Sequence, residues 1–275
     1  MMKKKQKMHN IVLFDMDGTL TKARQTACHS LYTPLKTLAR FSSIGILTGS
    51  DIEYVRQQMK FIIDHSEIRY KLHLLPCNGT KHYIPPNYNH EQHQLAYQVN
   101  MKNKMKQFGF DRLMKILIDY QNHICSHYDI PLTGHFISYR GSMINWCPIG
   151  RNASIEEREE FINFDKKFSD NSFRSIILDQ LNQEFENLNM KLTIKLGGET
   201  SFDIYPHGWD KTYALNHFEN HFVWFVGDRC EEGGNDKEIY DLLQPYNSFK
   251  VSNPAQTKTL LEETIIPLMI KGEQP

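Results

Sequence analysis

The sequence predicts an α/β fold, a parallel-sheet core interrupted by an inserted α+β unit. Three apolar runs carry that expectation. Ile11–Phe14 runs into Asp15-Met16-Asp17-Gly18, Ile44–Leu47 into Thr48-Gly49-Ser50-Asp51, and Phe222–Val226 into Gly227-Asp228. Short continuous apolar runs suit strands buried on both faces, as in a parallel sheet. Each ends in small or acidic residues, which would stand at the carboxyl edge where open α/β sheets bind ligands. The third run lies far down the chain from the other two, so the sheet is completed from both chain ends.

The stretch between reads differently. From about Glu91 to Tyr128 the pattern is helical, with Leu113, Ile116, Leu117 and Tyr120 on one face. His135–Tyr139 and Met143–Cys147 alternate like paired strands around Arg140-Gly141-Ser142. Ser154–Phe168 is a charged helix opened by a capping box, Ser154-Ile155-Glu156-Glu157, and Ser172–Leu188 is another helix. Lys191–Leu196 and Phe202–Pro206 read as strands on either side of Gly197-Gly198. Pro85-Pro86 marks the way into this unit and Pro206-His207-Gly208 the way out. The expected division is a core of residues 1–85 and 207–275 and a cap of residues 86–206.

Bulk composition narrows the function. Lys+Arg and Asp+Glu both number 32 in a chain of 275 residues, so no global field favours nucleic acid or an anionic membrane. An anionic substrate must be met by local positive charge. The basic start Met1–Lys7 leads only into Ile11–Phe14, too short for a signal core or a membrane span. Five scattered cysteines without metal spacing suit reduced thiols and a cytoplasmic protein. His90-Glu91-Gln92-His93 lacks the spacing of a metalloprotease helix, so zinc is not expected.

The densest chemical signal is Asp15-Met16-Asp17-Gly18-Thr19. Two carboxylates two residues apart at a strand end can address one phosphoryl group. Asp15 can attack phosphorus and become an aspartyl phosphate, while Asp17 exchanges protons with the leaving or attacking oxygen. Gly18 permits a tight turn, and Thr19 is placed to hydrogen-bond the second carboxylate. Carboxylates this close repel unless a cation lies among them, and Mg²⁺ with oxygen ligands fits. Thr48, with the Gly49 amide, can hold a phosphoryl oxygen. Lys211 can neutralise the transferring group. Asp228, followed by Gly233-Gly234-Asn235-Asp236, adds a carboxylate for the cation.

These motifs, in this order with an insertion between the second and third, resemble the eukaryotic-type phosphomannomutases of the haloacid dehalogenase superfamily. The resemblance is densest in Phe14–Gln25, in Pro148–Arg151 with Glu156–Arg158, in Ser201–Asp203 through Gly208–Lys211, and in Gly227–Asp228 with Gly233–Asp236. It implies a haloacid dehalogenase-like core and a cap that closes over a sugar phosphate. It also implies interconversion of mannose 6-phosphate and mannose 1-phosphate through a hexose 1,6-bisphosphate that doubles as activator, with the mannose 1-phosphate feeding GDP-mannose synthesis. Asp15 would be nucleophile and Asp17 acid/base. The Asp15 carboxylate, the Asp17 carbonyl and Asp228 would hold Mg²⁺. Arg140, Arg151 and Arg158 would grip the distal phosphate, Arg24 would contact the sugar phosphate from the core, and Ser201 and Asp203 would contact the sugar or its phosphate. A homodimer through the cap is implied as well.

Guanidinium forks suit phosphate, which agrees with the three cap arginines. The chain departs from the family pattern at Cys77 (usually glutamate), Thr48 (glycine), Thr133 (often arginine) and Cys147 (serine). Tyr240–Pro245 lacks the usual Asp-Pro loop, which bears on a second, structural cation. The alternatives are a magnesium-dependent sugar phosphatase on the same scaffold and a non-catalytic sugar-phosphate binding protein.

Overall fold

A computed structural model describes residues 9–22, 25–168 and 171–272. Its strands are, in chain order, β1 His9–Phe14, β2 Ser43–Leu47, β3 Leu72–Leu75, β4 Lys81–Ile84, β5 Gln94–Gln98 and β6 Ile137–Tyr139. They continue with β7 Ile144–Trp146, β8 Leu192–Gly197, β9 Ser201–Pro206, β10 His221–Gly227 and β11 Ser248–Lys250.

Seven strands form one sheet in the order β11-β10-β1-β2-β3-β4-β5. The first five in that order pair parallel, and β4 and β5 turn antiparallel at one edge. The three apolar runs are thus the neighbours β10, β1 and β2. Leu13 aligns with Phe225 and Gly45, and Phe14 with Val226 and Ile46, so the three strands end together. Successive side chains point to opposite faces. Val12 and Phe14 enter one apolar cluster with Ile44, Ile46 and Trp224, and Ile11 and Leu13 enter another with Leu47 and Phe225. A strand filled on both sides carries no polar alternation, and the sequence shows none.

The chain divides into two compact units. The first runs to Gln98 and resumes with Asp210–Glu232 and from Asp236; the second comprises Val99–Trp209 and Gly233–Asn235. The second holds the antiparallel sheet β6-β7-β9-β8. Its helices include Met101–His127, Ile155–Lys167 and Phe173–Asn187. Ser154 caps Ile155–Lys167 with the expected reciprocal box to Glu157, and Ser172 caps Phe173–Asn187. Trp146 stacks on Phe202 with ring centroids 5.0 Å apart, and its indole N–H donates to Gln121 Oε1 at 2.7 Å. Buried rings of this kind each contribute about 1.5–3 kcal/mol by removal from water.

Two expectations need correction. Glu91–Tyr128 is not helical throughout: Gln94–Gln98 is a strand paired with β4, and the helix begins at Met101 behind an Asn100 cap. All five residues of β5 are exposed, so this edge strand has no buried face to print an alternation. For the same reason the boundary at residues 85/86 comes too early. The β4–β5 hairpin belongs to the first unit, and the second begins at Val99.

Candidate active site

Asp15 is fixed by the strand that precedes it. Its N–H donates to the Val226 carbonyl at 2.9 Å, carrying the β1–β10 ladder one residue beyond β1. The turn that follows closes with the Gly18 N–H donating to Thr21 O at 2.7 Å. Gly18 has φ +91°, and a Cβ there would stand 2.2 Å from Asp228 Oδ2. Only glycine lets this turn pass so close to the carboxylate at the end of β10.

Lys211 sits wholly buried at the start of the segment Lys211–His217. Its ammonium donates to Asp15 Oδ1 and to Asp236 Oδ1. The other Asp236 oxygen accepts the backbone N–H groups of Asp228 at 3.1 Å and Arg229 at 3.0 Å. Asp236 is therefore engaged through both oxygens and aims the ammonium. Asp228 is not: its Oδ1 is buried and has no hydrogen-bond partner. Oxygens of Asp15, Asp228 and Asp236 lie within 4.8 Å of one another.

The electrostatics follow from three carboxylates around one ammonium. Burial, with the Asp236 and Asp228 charges, pushes the Asp15 carboxyl well above its usual range against the pull of Lys211. Burial and Asp236 push Asp228 up to about 6. For Lys211 burial favours the neutral amine, but Asp15 and Asp236 outweigh it and hold the ammonium above the ordinary lysine range. The cluster is short of positive charge. A divalent cation with oxygen ligands would relieve it, and the orphaned Asp228 oxygen is the kind of donor such an ion takes.

Asp17 lies beside this cluster in sequence, and its Oδ1 accepts from Gln58 Nε2 at 3.2 Å and from the Tyr54 hydroxyl at 3.5 Å. The bond expected from Thr19 does not form: the Thr19 hydroxyl is buried without a partner. Thr48 is buried just past β2, and its carbonyl accepts the Asn78 N–H at 2.8 Å. Its hydroxyl accepts the Ser50 N–H at 3.2 Å. Cys77 donates its N–H to Ser50 O at 2.9 Å, so the turn bearing this unusual cysteine is tied to the Thr48 segment.

In the second unit, three of the expected residues are joined through Asn145, and a fourth, Arg140, approaches one of them. Its amide nitrogen donates to Ser201 Oγ at 3.0 Å and Asp203 Oδ1 at 2.8 Å, and its oxygen accepts from Arg151 Nη1 at 2.8 Å. Arg140 Nη1 lies 3.9 Å from Asp203 Oδ1. Arg158 stands half-buried in the first turn of Ile155–Lys167. Arg24 lies outside the described residues. Thr133, where the family often has arginine, uses both its N–H and its hydroxyl on Ile149 O, at 2.9 and 2.8 Å.

Sequence reasoning named neither Asp236 nor Asn145 as a site residue. Asp236 had a usable signal, a carboxylate after Gly233-Gly234 a short loop beyond Asp228. Asn145 had only its place as a polar residue between Ile144 and Trp146 on a short strand.

Comparison with known proteins decides the family. The sequence profile described as eukaryotic phosphomannomutase matches residues 31–267. The chain belongs to the eukaryotic phosphomannomutase family. A phosphomannomutase of Dendrobium officinale is 36% identical over 234 residues, covering 84% of each chain. One of Drosophila melanogaster is 34% identical over 264 residues, covering 93% of this chain and 95% of the relative. Among solved structures, an N-terminally truncated IMP-nucleotidase of Plasmodium falciparum superposes with a TM-score of 0.61 at 15% identity. That match covers 93% of this chain and 70% of the other, and it shows that this phosphomannomutase relative has the haloacid dehalogenase-like fold. Among the described residues no helix is long and apolar enough to cross a membrane.

Proposed function

We propose that the protein is a phosphomannomutase that interconverts mannose 6-phosphate and mannose 1-phosphate. The observation that carries this is Lys211, buried between Asp15 and Asp236 in a chain of this family. Asp15 is the nucleophile. It attacks phosphorus, the phosphorus–oxygen bond to the donor breaks, and the phosphoryl group rests on Asp15. Lys211 neutralises the charge on the transferring group while Asp236 keeps the ammonium aimed. Asp17 protonates the leaving oxygen and later takes the proton of the attacking sugar hydroxyl. Thr48, with the Gly49 amide, holds a phosphoryl oxygen.

Mg²⁺ would be held by the Asp15 carboxylate, the Asp17 carbonyl and Asp228, and when bound it draws negative charge from the phosphoryl oxygens. The orphaned Asp228 oxygen supports that assignment. Arg140, Arg151 and Arg158 grip the phosphate that is not reacting, with Ser201 and Asp203 on the sugar. Arg24 adds a further contact to the sugar phosphate. The intermediate is a hexose 1,6-bisphosphate, which also starts the cycle by phosphorylating Asp15. Family membership supports three further assignments: a cytoplasmic site of action, a homodimer through the cap, and supply of mannose 1-phosphate for GDP-mannose synthesis.

The test follows both products from mannose 1-phosphate, with and without catalytic hexose 1,6-bisphosphate. Mannose 6-phosphate should form, strongly stimulated by the bisphosphate, with little free phosphate. Stoichiometric phosphate release with no 6-phosphate would replace the mutase with a phosphatase.

A further inference from the structure

The Lys211–His217 segment is held from behind by histidines that the chemistry above does not use. Its contact with the Cys77–Gly79 turn is close: a Cβ at Gly79 would meet Ala214 Cβ at 2.7 Å and its Cα at 2.8 Å. His217 Nε2–H donates to Gly79 O at 2.8 Å, and the next residue back, Asn78, donates its N–H to Thr48 O at 2.8 Å. One short path thus links the segment that begins at Lys211 with Thr48, the residue just past β2.

His217 rests on a second ring. Its centroid lies 4.5 Å from that of His82 on β4, and His82 Nε2 lies 2.9 Å from His73 Nδ1 on β3. Phe218 packs edge-to-face with His73 at 5.3 Å and with His82 at 5.5 Å. A 2.9 Å nitrogen–nitrogen contact needs one donor and one acceptor, so it cannot survive with both rings as imidazolium.

The surroundings give such a charge no relief. The titratable groups bearing on His73 are His217, His221, His93 and Lys71, and those bearing on His82 are His73 and His217. Tyr97 on β5 closes the outer side, 5.0 Å from the His217 ring, with its hydroxyl bonded to Tyr213 at 2.6 Å. His221 stands against Phe218 at 5.5 Å and His9 at 6.3 Å. Every group named is basic or neutral. Burial first, then these neighbours, holds His73 down to about 4 and His82 down to about 3.

We infer that His73, His82 and His217 are positioning residues, a brace that sets Lys211 against the Thr48 turn only while its imidazoles are uncharged. The consequence for turnover rests on the roles of Lys211 and Thr48 proposed above; the brace itself does not. The sign follows from proton linkage. Histidines held neutral in the fold and free to charge when the segment opens stabilise the closed form above their unfolded value of about 6.5. As pH falls below that value the open form gains protons that the closed form refuses. His73 and His82, the two held lowest, together raise the opening equilibrium by up to about a hundredfold per pH unit, and one of them alone by about tenfold.

The experiment is amide hydrogen exchange at Asn78 between pH 7.5 and 5.0, corrected for intrinsic rate, with kcat and KM measured alongside. In the intact protein, opening should rise with about the second power of proton concentration below pH 6.5, and kcat should fall while KM holds. His82→Gln keeps a hydrogen-bonding group but takes no proton, and should reduce the dependence to about the first power. An equal acid dependence in wild type and variant would overturn the brace. Should the variant not fold, histidine NMR titration of the wild type decides. Two imidazoles still neutral at pH 5 support the brace, and all rings titrating between about 6 and 7 refute it. If no mutase turnover is found at any pH while exchange behaves as stated, the brace stands and the functional reading falls.

Discussion

The two polar centres of this protein are built on opposite charge balances. In the first unit three carboxylates, Asp15, Asp228 and Asp236, surround the single ammonium of Lys211. In the second unit Arg140 and Arg151 share a network that includes the carboxylate of Asp203. The first is short of positive charge, and its strain shows as carboxyl groups held toward the protonated state. The second has a surplus of positive charge arranged around a neutral amide. An anion can be received by the arginine network as it stands. Under the proposed function, the carboxylate centre gains a cation before a phosphate dianion approaches. On that same reading, the centre that does chemistry is the one made uncomfortable, and the centre that binds is the one already satisfied.

Substitutions should separate the two centres by size and kind of effect. Asp15→Asn is nearly isosteric and a poor nucleophile, so it should abolish phosphoryl transfer with the thermal unfolding curve little changed. Asp17→Asn should lower kcat by roughly 10²–10⁴, the usual worth of a general acid/base. Retained turnover in the Asp15 variant would remove the contrast, because the first centre would no longer be where the bond is made.

Arginine losses should be smaller and should appear mainly in KM. A charge-assisted hydrogen bond is worth roughly 1.5–3 kcal/mol, so Arg140→Ala or Arg151→Ala should cost about tenfold to somewhat over a hundredfold in kcat/KM. Arg158→Ala sharpens the boundary of the network. A helix-surface arginine would leave kinetics unchanged, whereas a phosphate ligand would give a loss in the same range.

The smallest effect is on stability. EDTA should remove activity and Mg²⁺ should restore it, with a rise in Tm that grows with ion concentration. Proton and cation compete for Asp228, whose carboxyl is pushed up to about 6, so the rise should shrink as pH falls below that value. Asp228→Asn should abolish it. An equal rise at pH 5 and pH 7.5, or in the Asp228 variant, would detach the cation from this cluster.

What the sequence displayed depended on burial. The three apolar runs were legible because both faces of β1, β2 and β10 are filled, and their ends fixed Asp15, Thr48 and Asp228 at one edge. The two capped helices of the second unit were legible because Ser154 and Ser172 sit where a cap must sit. The exposed strand β5 left no pattern, and with it went the true start of the second unit. Asn145 and the Gln58 contact to Asp17 were illegible for another reason: each is a partnership across many residues, and no local spacing encodes it. The exchange of Thr19 for Gln58 as partner to Asp17 is of the same kind. Local sequence proposed the nearest hydroxyl, and tertiary packing supplied an amide from a distant helix.

The most direct measurement asks whether Asp15 carries phosphate. The protein is mixed with hexose 1,6-bisphosphate and Mg²⁺, quenched in acid within one turnover, digested and mapped by mass spectrometry. A single phosphate on the peptide containing Asp15, lost in Asp15→Asn and discharged by mannose 1-phosphate, is the predicted result. Turnover that proceeds with no phosphate on that peptide would contradict the account.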